Sequence, residues 1–340
     1  MSRAMLSPRA YLAHLSIYAA AAAAAVLLAP LFGSETVSLP RVLSGFSALD
    51  NMDAEIFFRF RLPRVILAFV AGGALSLSGA SLQVVLKNPL AEPFVLGIAG
   101  AGALGAACAM SIPGLLWRMG PFTTVGFFSL AGSLAVTGLI LRLLSRRAAL
   151  SMSTVLLAGV TINFLCGAAI LLVRYLVSPQ VLVAMDRWMM GGLDVVGFGD
   201  LLPVLLLLLP GVALLLLQSR SLNQLAFGEA LAFGHGVDVV SVRRMVFLGT
   251  GLAAAAVVSV AGPIGFVGLI VPHVVRRLSG VDQRLVLPAS FFAGGAFLIF
   301  CDLIARTVVA PTEMPVGIVT AVAGGPVFLR ILFKNGGTHD

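Results

Sequence analysis

Apolar residues in this chain run in long blocks, broken by short clusters of charge, proline and glycine, from residue 11 almost to the end. A helix needs about 20 predominantly apolar residues to cross the hydrocarbon core of a bilayer. Ten blocks stand as candidates: 11–32, 63–86, 94–111, 121–144, 152–176, 198–217, 243–261, 264–276, 285–305 and 314–333. The eighth is too short to cross alone and is expected to lie among its neighbours. The pattern predicts an all-α polytopic membrane protein, one transmembrane domain over 1–340 with about ten spanning helices.

The pattern changes between the sixth and seventh blocks, where about 219–242 is too polar to span. Leu222, Leu225, Ala226, Glu229, Ala230 and Phe233 suit one short helix; Gly234 and Gly236 then break it, and Asp238 caps a second helical turn. A short helix pair on the membrane face is something a second protein can grip as a lever. Between the second and third blocks, Asn88-Pro-Leu-Ala-Glu-Pro93 reads as a helix-terminating turn. Gly97, Ala101 and Gly105 recur at four-residue spacing, a ridge that lets helix backbones approach closely in lipid.

Composition agrees with the membrane reading. The chain is 59% hydrophobic and 11% charged, with a mean hydropathy of +1.07, whereas soluble domains carry roughly 25% charged residues. Its net charge of +8 is spread through short loops, which fits membrane orientation and not nucleic-acid binding. An even number of spans puts both termini on one side. With that side inside, inner segments hold Arg3, Arg9, Lys87, Arg142, Arg146, Arg147, Arg220, Arg243, Arg244, Arg276, Arg277, Arg284, Arg330 and Lys334. Outer loops hold the acids Glu35, Asp50, Asp53, Glu55, Asp186, Asp194, Asp200 and Glu313. The apolar stretch from Tyr11 to Phe32 exceeds the 7–15 residues of a signal-peptide core and reads as an uncleaved first span. Cys108, Cys166 and Cys301 sit inside apolar runs without metal-ligand or disulfide spacing.

Few residues carry chemistry. Arg61 and Arg64 stand at the outer mouth of the second span, where cations are unusual, and an acidic docking partner is the best reason for them. Asp302 and Arg306, four apart near the outer end of the ninth span, suit a helical ion pair; Arg306 is also a third docking candidate, orientated by Asp302. His273 is placed at an inner helix end and satisfies local groups. His235 has no partners for a metal site. An ion-coupled secondary transporter, the alternative reading, would need paired acids or histidines at mid-membrane, where only Asp302 qualifies. No HExxH or GxSxG motif points to an enzyme, and without a P-loop any ATP hydrolysis belongs to a partner.

These residues fall in blocks that resemble the FecCD family of ABC-importer permeases. The blocks are Arg61-Leu-Pro-Arg64, Lys87-Asn-Pro-Leu-Ala-Glu-Pro93, Leu157-Ala-Gly-Val160, Trp188-Met-Met-Gly-Gly192, Gly228-Glu-Ala through Gly236-Val, Ala261-Gly-Pro-Ile-Gly-Phe through His273, Asp302 to Arg306, and Met314-Pro-Val-Gly-Ile-Val-Thr320. The resemblance runs in order from about residue 60 to 334. It implies a type II importer fold and a homodimer in the bacterial inner membrane, with both termini cytoplasmic. Two ATP-binding cassette subunits, holding ATP and Mg, would sit inside and a periplasmic or lipoprotein binding protein outside; this chain itself would carry no cofactor. It further implies that Arg61, Arg64 and Arg306 meet glutamates of the binding protein. Gly228, Glu229, Ala230, Gly234, His235 and Gly236 would couple to the ATPases, and Asn88, Leu90, Met152 and Ser153 would form the cytoplasmic gate. Met152 departs from the small hydroxyl residue of the vitamin B12 permease at its position. Trp188 to Gly192 looks closest to the vitamin B12 branch, and haem, a ferric siderophore and a corrinoid all remain candidate cargoes.

Overall fold

In the computed structural model, residues 8–33, 35, 37–44, 51–115, 118–119, 122–146, 151–199 and 201–336 are described. Arg3, Asp50, Arg147 and Asp200, which enter the charge balance above, lie outside them. All ten apolar blocks form helices. The first is α1 (Pro8–Leu28). Two short helices follow, α2 (Leu39–Ser44) and α3 (Met52–Glu55). A π-helical turn over Ile56–Arg61 then leads into α4 (Leu62–Val85). The chain continues with α5 (Ile98–Ser111), α6 (Thr124–Arg146), α7 (Met152–Leu176), α8 (Pro179–Met189) and α9 (Leu201–Leu217). The polar segment gives α10 (Ser219–Leu225) and α11 (Glu229–Gly234). The last four helices are α12 (Val239–Ala261), α13 (Val267–Ser279), α14 (Gln283–Thr307) and α15 (Val316–Gly336). Outside the helices, Arg118–Met119 pairs antiparallel with Phe122–Thr123.

Among the described residues, six helices are long and apolar enough to cross a membrane, or seven if α9 and α10, bent by 49°, count as one span. Helix α5 and Val316–Arg330 of α15 are apolar but shorter. The 13-residue α13 is buried along its first half, Val267 to Pro272, while Val274 and Leu278 further along are exposed. The polar segment departs from the expected single helix: Gly228, at φ 122°, separates α10 from α11, a conformation that L side chains avoid. Asp238 caps the long α12, accepting from the N–H groups of Val240 and Ser241 at 3.0 and 3.1 Å.

Helix α4 is the axis of the bundle, and glycine lets its neighbours approach. A Cβ on Gly72 would lie 2.3 Å from the Gly294 carbonyl oxygen of α14, and one on Gly79 would lie 1.9 Å from that of Gly268 in α13. Lipid gives helices no hydrophobic drive to associate, so contact of this kind supplies the cohesion. The ridge on α5 behaves the same way: Gly105 and Ala101 face the Phe128 carbonyl and Gly132 of α6.

Two ends of the bundle are chemically distinct. At one, Tyr11 of α1 donates to the Arg284 carbonyl (3.3 Å), Gln283 N–H donates to Asn223 Oδ1 (3.0 Å), and Lys87 meets Glu229 (2.7 Å). The start of α1, the α4–α5 turn, the α10–α11 pair and the start of α14 therefore share an end. At the other, the segment after α1 meets the start of α4 and the end of α14.

Candidate functional site

The second end holds a buried charge cluster. Asp302, fully buried in α14, sits between two arginines: Arg64 Nε donates to its Oδ1 at 2.8 Å, and Arg306 Nε lies 3.0 Å from its Oδ2. Arg64 also reaches Glu313 at 2.5 Å and Asp194 at 3.7 Å. Arg61, only 6% exposed, donates to the carbonyls of Pro30 (3.3 Å) and Glu35 (2.5 Å). Arg306, 2% exposed, donates to those of Phe32 (3.2 Å) and Ala29 (3.4 Å). All three arginines border one cleft of about 420 Å³, with Glu35, Asp194 and Glu313 on its walls. The structure thus brings the three together but uses two of them to hold the segment that follows α1. Burying charge is costly unless it is paired and hydrogen-bonded: Arg64 and Arg306 are paired with Asp302, and Arg61 is held by backbone carbonyls.

The first end carries the polar helix pair. Glu229, first residue of α11, joins Lys87 at 2.7 Å through Oε1 and Arg243 at 2.8 Å through Oε2. The hydrogen bond from Lys87 is the largest cause holding the Glu229 carboxyl below its ordinary pKa, and the charge of Arg243 adds to it. His235 Nδ1 lies 2.7 Å from the Leu231 carbonyl and closes α11, while Gly236, at φ 80°, turns the chain toward α12. Ala230 and Gly234 belong to α11 itself, which presents Leu231 and Phe233, 56% and 77% exposed, just after an exposed Phe227. A second cleft of about 490 Å³ opens beside the pair, lined by Lys87, Asn88, Phe227 and Arg276 among others.

The four gate candidates occupy two turns. Asn88 Oδ1 accepts from Leu90 N–H at 2.9 Å, and the Asn88 carbonyl accepts from Ala91 N–H at 3.1 Å, which makes 88–91 a tight, self-bonded turn. Met152 and Ser153 begin α7, where Ser151 is the N-cap, accepting from Thr154 N–H at 3.2 Å. Ser153 Oγ lies 2.8 Å from Ser151 Oγ, and Met152 packs on the core. His273 departs from the expected helix end: it lies half-buried in mid-helix, directly after Pro272 of α13. No group of three or more potential metal ligands gathers among the described residues.

Glu92 and Glu313 received no role from the sequence. Glu92 Oε2 accepts from Phe266 N–H at 3.2 Å, tying the α4–α5 turn to the α12–α13 junction. The glycines of the Trp188 block are junction residues as well. Gly192 N–H donates to the Ala261 carbonyl at 2.9 Å, and Gly317 N–H to that of Gly191 at 3.3 Å. Three separate sequence blocks therefore meet at one place.

A bundle of apolar helices with a buried ion cluster at one end and a polar helix pair at the other is a multi-pass membrane protein. The matches to known proteins agree. The FecCD transport family model matches residues 21–334, and the chain belongs to that family. The hemin transport system permease protein HmuU of Yersinia pestis is 41% identical over 299 residues, covering 87% of this chain and 88% of that one. The vitamin B12 import system permease protein BtuC of Vibrio vulnificus is 39% identical, with coverage of 87% and 88%. An ABC transporter described as of metal-chelate type, solved in an inward-facing conformation, superposes with a TM-score of 0.82 at 27% identity, covering 94% of this chain and 98% of that one. The fold is accordingly that of the type II ABC-importer permeases.

Proposed function

We propose that this chain is the membrane-spanning subunit of a binding-protein-dependent ABC importer that carries haem, a corrinoid or a ferric chelate into the cytoplasm. It works as a homodimer in the bacterial inner membrane, with both termini inside. Two partner ATPases bind ATP and Mg and engage the α10–α11 pair. Cation-rich loops favour the cytoplasmic side, and the Lys87 end, which also bears Arg220, Arg243, Arg276 and Arg284, is placed there. Relatives named for hemin and vitamin B12 transport support the cargo class.

The observation that carries the reading is the helix pair. Phe227, Leu231 and Phe233 are exposed on a segment too polar to lie in lipid, so their cover is a protein partner. ATP-driven closure of the ATPases moves the pair, and the spans tilt to open the pore alternately to each side. The binding protein seats over the opposite cleft, where Arg64 exchanges Glu313 or Asp194 for a carboxylate of the partner. Arg61 and Arg306 hold the loop on which it rests.

Co-purification tests the helix-pair assignment. The permease, co-expressed with its neighbouring ATPase, is expected to come through size exclusion as a complex. Phe227→Ser with Phe233→Ser is expected to lose the ATPase while the permease itself stays monodisperse. Full ATPase retention by that variant would count against the assignment.

A further inference from the structure

Lys87 follows the last turn of α4 with its backbone at φ 49°, one of two described non-glycine residues with positive φ. Its neighbours make a helix stop: Lys87 N–H donates to the Val84 carbonyl at 3.3 Å and Asn88 N–H to that of Gln83 at 3.2 Å. Glycine is the favoured residue at a left-handed position just past a helix, because a Cβ there crowds the backbone. A lysine at this point gives up helix-stop stability, and its side chain is what it offers in return. The ammonium reaches Glu229 Oε1 at 2.7 Å, at the start of α11.

The two arms of Glu229 differ. Arg243 on α12 is 13% exposed and meets Glu229 Oε2 through Nη2 at 2.8 Å, so this better-enclosed contact is the firm one. Lys87 is 56% exposed, so its arm is exchangeable. An exposed pair of this kind adds little to stability and breaks and re-forms readily. What it joins is specific: the residue directly before the Asn88–Leu90 turn on one side, and the first residue of the polar helix pair on the other.

We propose that Lys87 is a positioning residue that transmits movement of α10–α11 to the Asn88–Leu90 turn through its contact with Glu229. This rests on the reading of α10–α11 as the ATPase contact and of that turn as a gate. When α11 moves with α12, the Lys87 arm either pulls the turn along or lets go of it. A lysine serving only the carbonyl end of α4 would not depend on Glu229 at all.

Hydrogen exchange on the permease in nanodiscs, without ATPase, tests the link by itself. The amides of Leu90 and Ala91, hydrogen-bonded within the turn, and of Asn88, bonded to the Gln83 carbonyl of α4, are the reporters. Glu229→Gln, on a different element, is expected to speed their exchange roughly 3-fold, the scale of one exposed ion pair. Lys87→Arg should keep the wild-type rate, and Lys87→Gly with Glu229→Gln should exchange no faster than Lys87→Gly alone. Lys87→Gly supplies the functional arm, because relief of the left-handed strain leaves its melting temperature at or above wild type. In the reconstituted complex that stable variant is expected to spend several-fold more ATP per cargo molecule. Unchanged exchange in Glu229→Gln, or wild-type transport by Lys87→Gly, would overturn the proposal. If the wild-type chain forms no ATPase complex, the proposed function fails, and the exchange comparison still decides whether the link exists.

Discussion

Arg64 and Asp302 are 238 residues apart in sequence and 2.8 Å apart in the structure. The contact ties the start of α4 to the end of α14, the two helices that pack face to face through Gly72 and Gly294. Arg306 on the other side of Asp302 makes the carboxylate the shared counter-charge of two buried guanidinium groups.

Removing that counter-charge takes the Asp302 contact from Arg306 and leaves Arg64 with the more exposed Glu313 and Asp194. Breaking a buried ion pair by deleting one partner costs about 3–5 kcal/mol, so Asp302→Ala is expected to lose most of its folded yield and melt far below wild type. Glu313, a far more exposed partner of Arg64 than Asp302, falls under the surface rule of about 0–1 kcal/mol. Thermal unfolding of Asp302→Ala and Glu313→Gln side by side checks this, and equal losses would refute the ranking.

Glycine packing gives a second paired test. A Cβ on Gly79 would collide with the Gly268 carbonyl oxygen, whereas one on Gly138 of α6 meets nothing within 4 Å. Overpacking of a tight contact costs typically 1–3 kcal/mol, while alanine for glycine in an open helix position gains about 0.4–1 kcal/mol. Gly79→Ala is therefore expected to unfold at lower temperature and Gly138→Ala at the same or higher temperature. The opposite order in a melting series would contradict the α4–α13 crossing.

The Phe266 N–H depends on Glu92, and Phe266 holds a left-handed φ of 70° just ahead of α13. Glu92→Gln keeps an acceptor oxygen and is expected to be close to neutral. Glu92→Ala strands the donor, at about 1–3 kcal/mol. A denaturation series in which both variants behave alike would show that the bond does not matter.

Glu229 titrates in a definite direction. Its folded pKa is depressed, first by the hydrogen bond from Lys87, so the stabilisation is present above the unfolded carboxylate value and fades as pH falls through the folded one. Between pH 6 and 8 the Lys87 contact should hold. Exchange at Asn88 and Leu90, corrected for intrinsic rates, is expected to be flat across that window. Loss of protection on going from pH 8 to pH 6 would contradict the assignment.

Span positions were legible in the sequence because hydropathy alone decides which segments leave water. The short eighth block shows it: its length pointed to partial burial, and the first half of α13, Val267 to Pro272, is buried. The Gly228 break was harder to see, since apolar spacing continues across it and only a backbone angle divides α10 from α11. Partners were hardest of all. Arg61 is visible as a cation at the mouth of a span, but its acceptors are backbone carbonyls of Pro30 and Glu35, which carry no sequence signal. Arg64 and Glu313 likewise meet only through the α4–α14 crossing. Lys87 stood in a recognised block, yet its value lies in a left-handed φ and a contact across 142 residues of chain.

Uptake by proteoliposomes tests the central claim most directly. The permease would be reconstituted with its neighbouring ATPase facing the lumen and ATP enclosed there, and its binding protein would be added outside with haem, cobalamin or a ferric siderophore. The account predicts uptake of one of these cargoes that requires both ATP and the binding protein. Cargo movement that ignores ATP and follows an imposed ion gradient would contradict it.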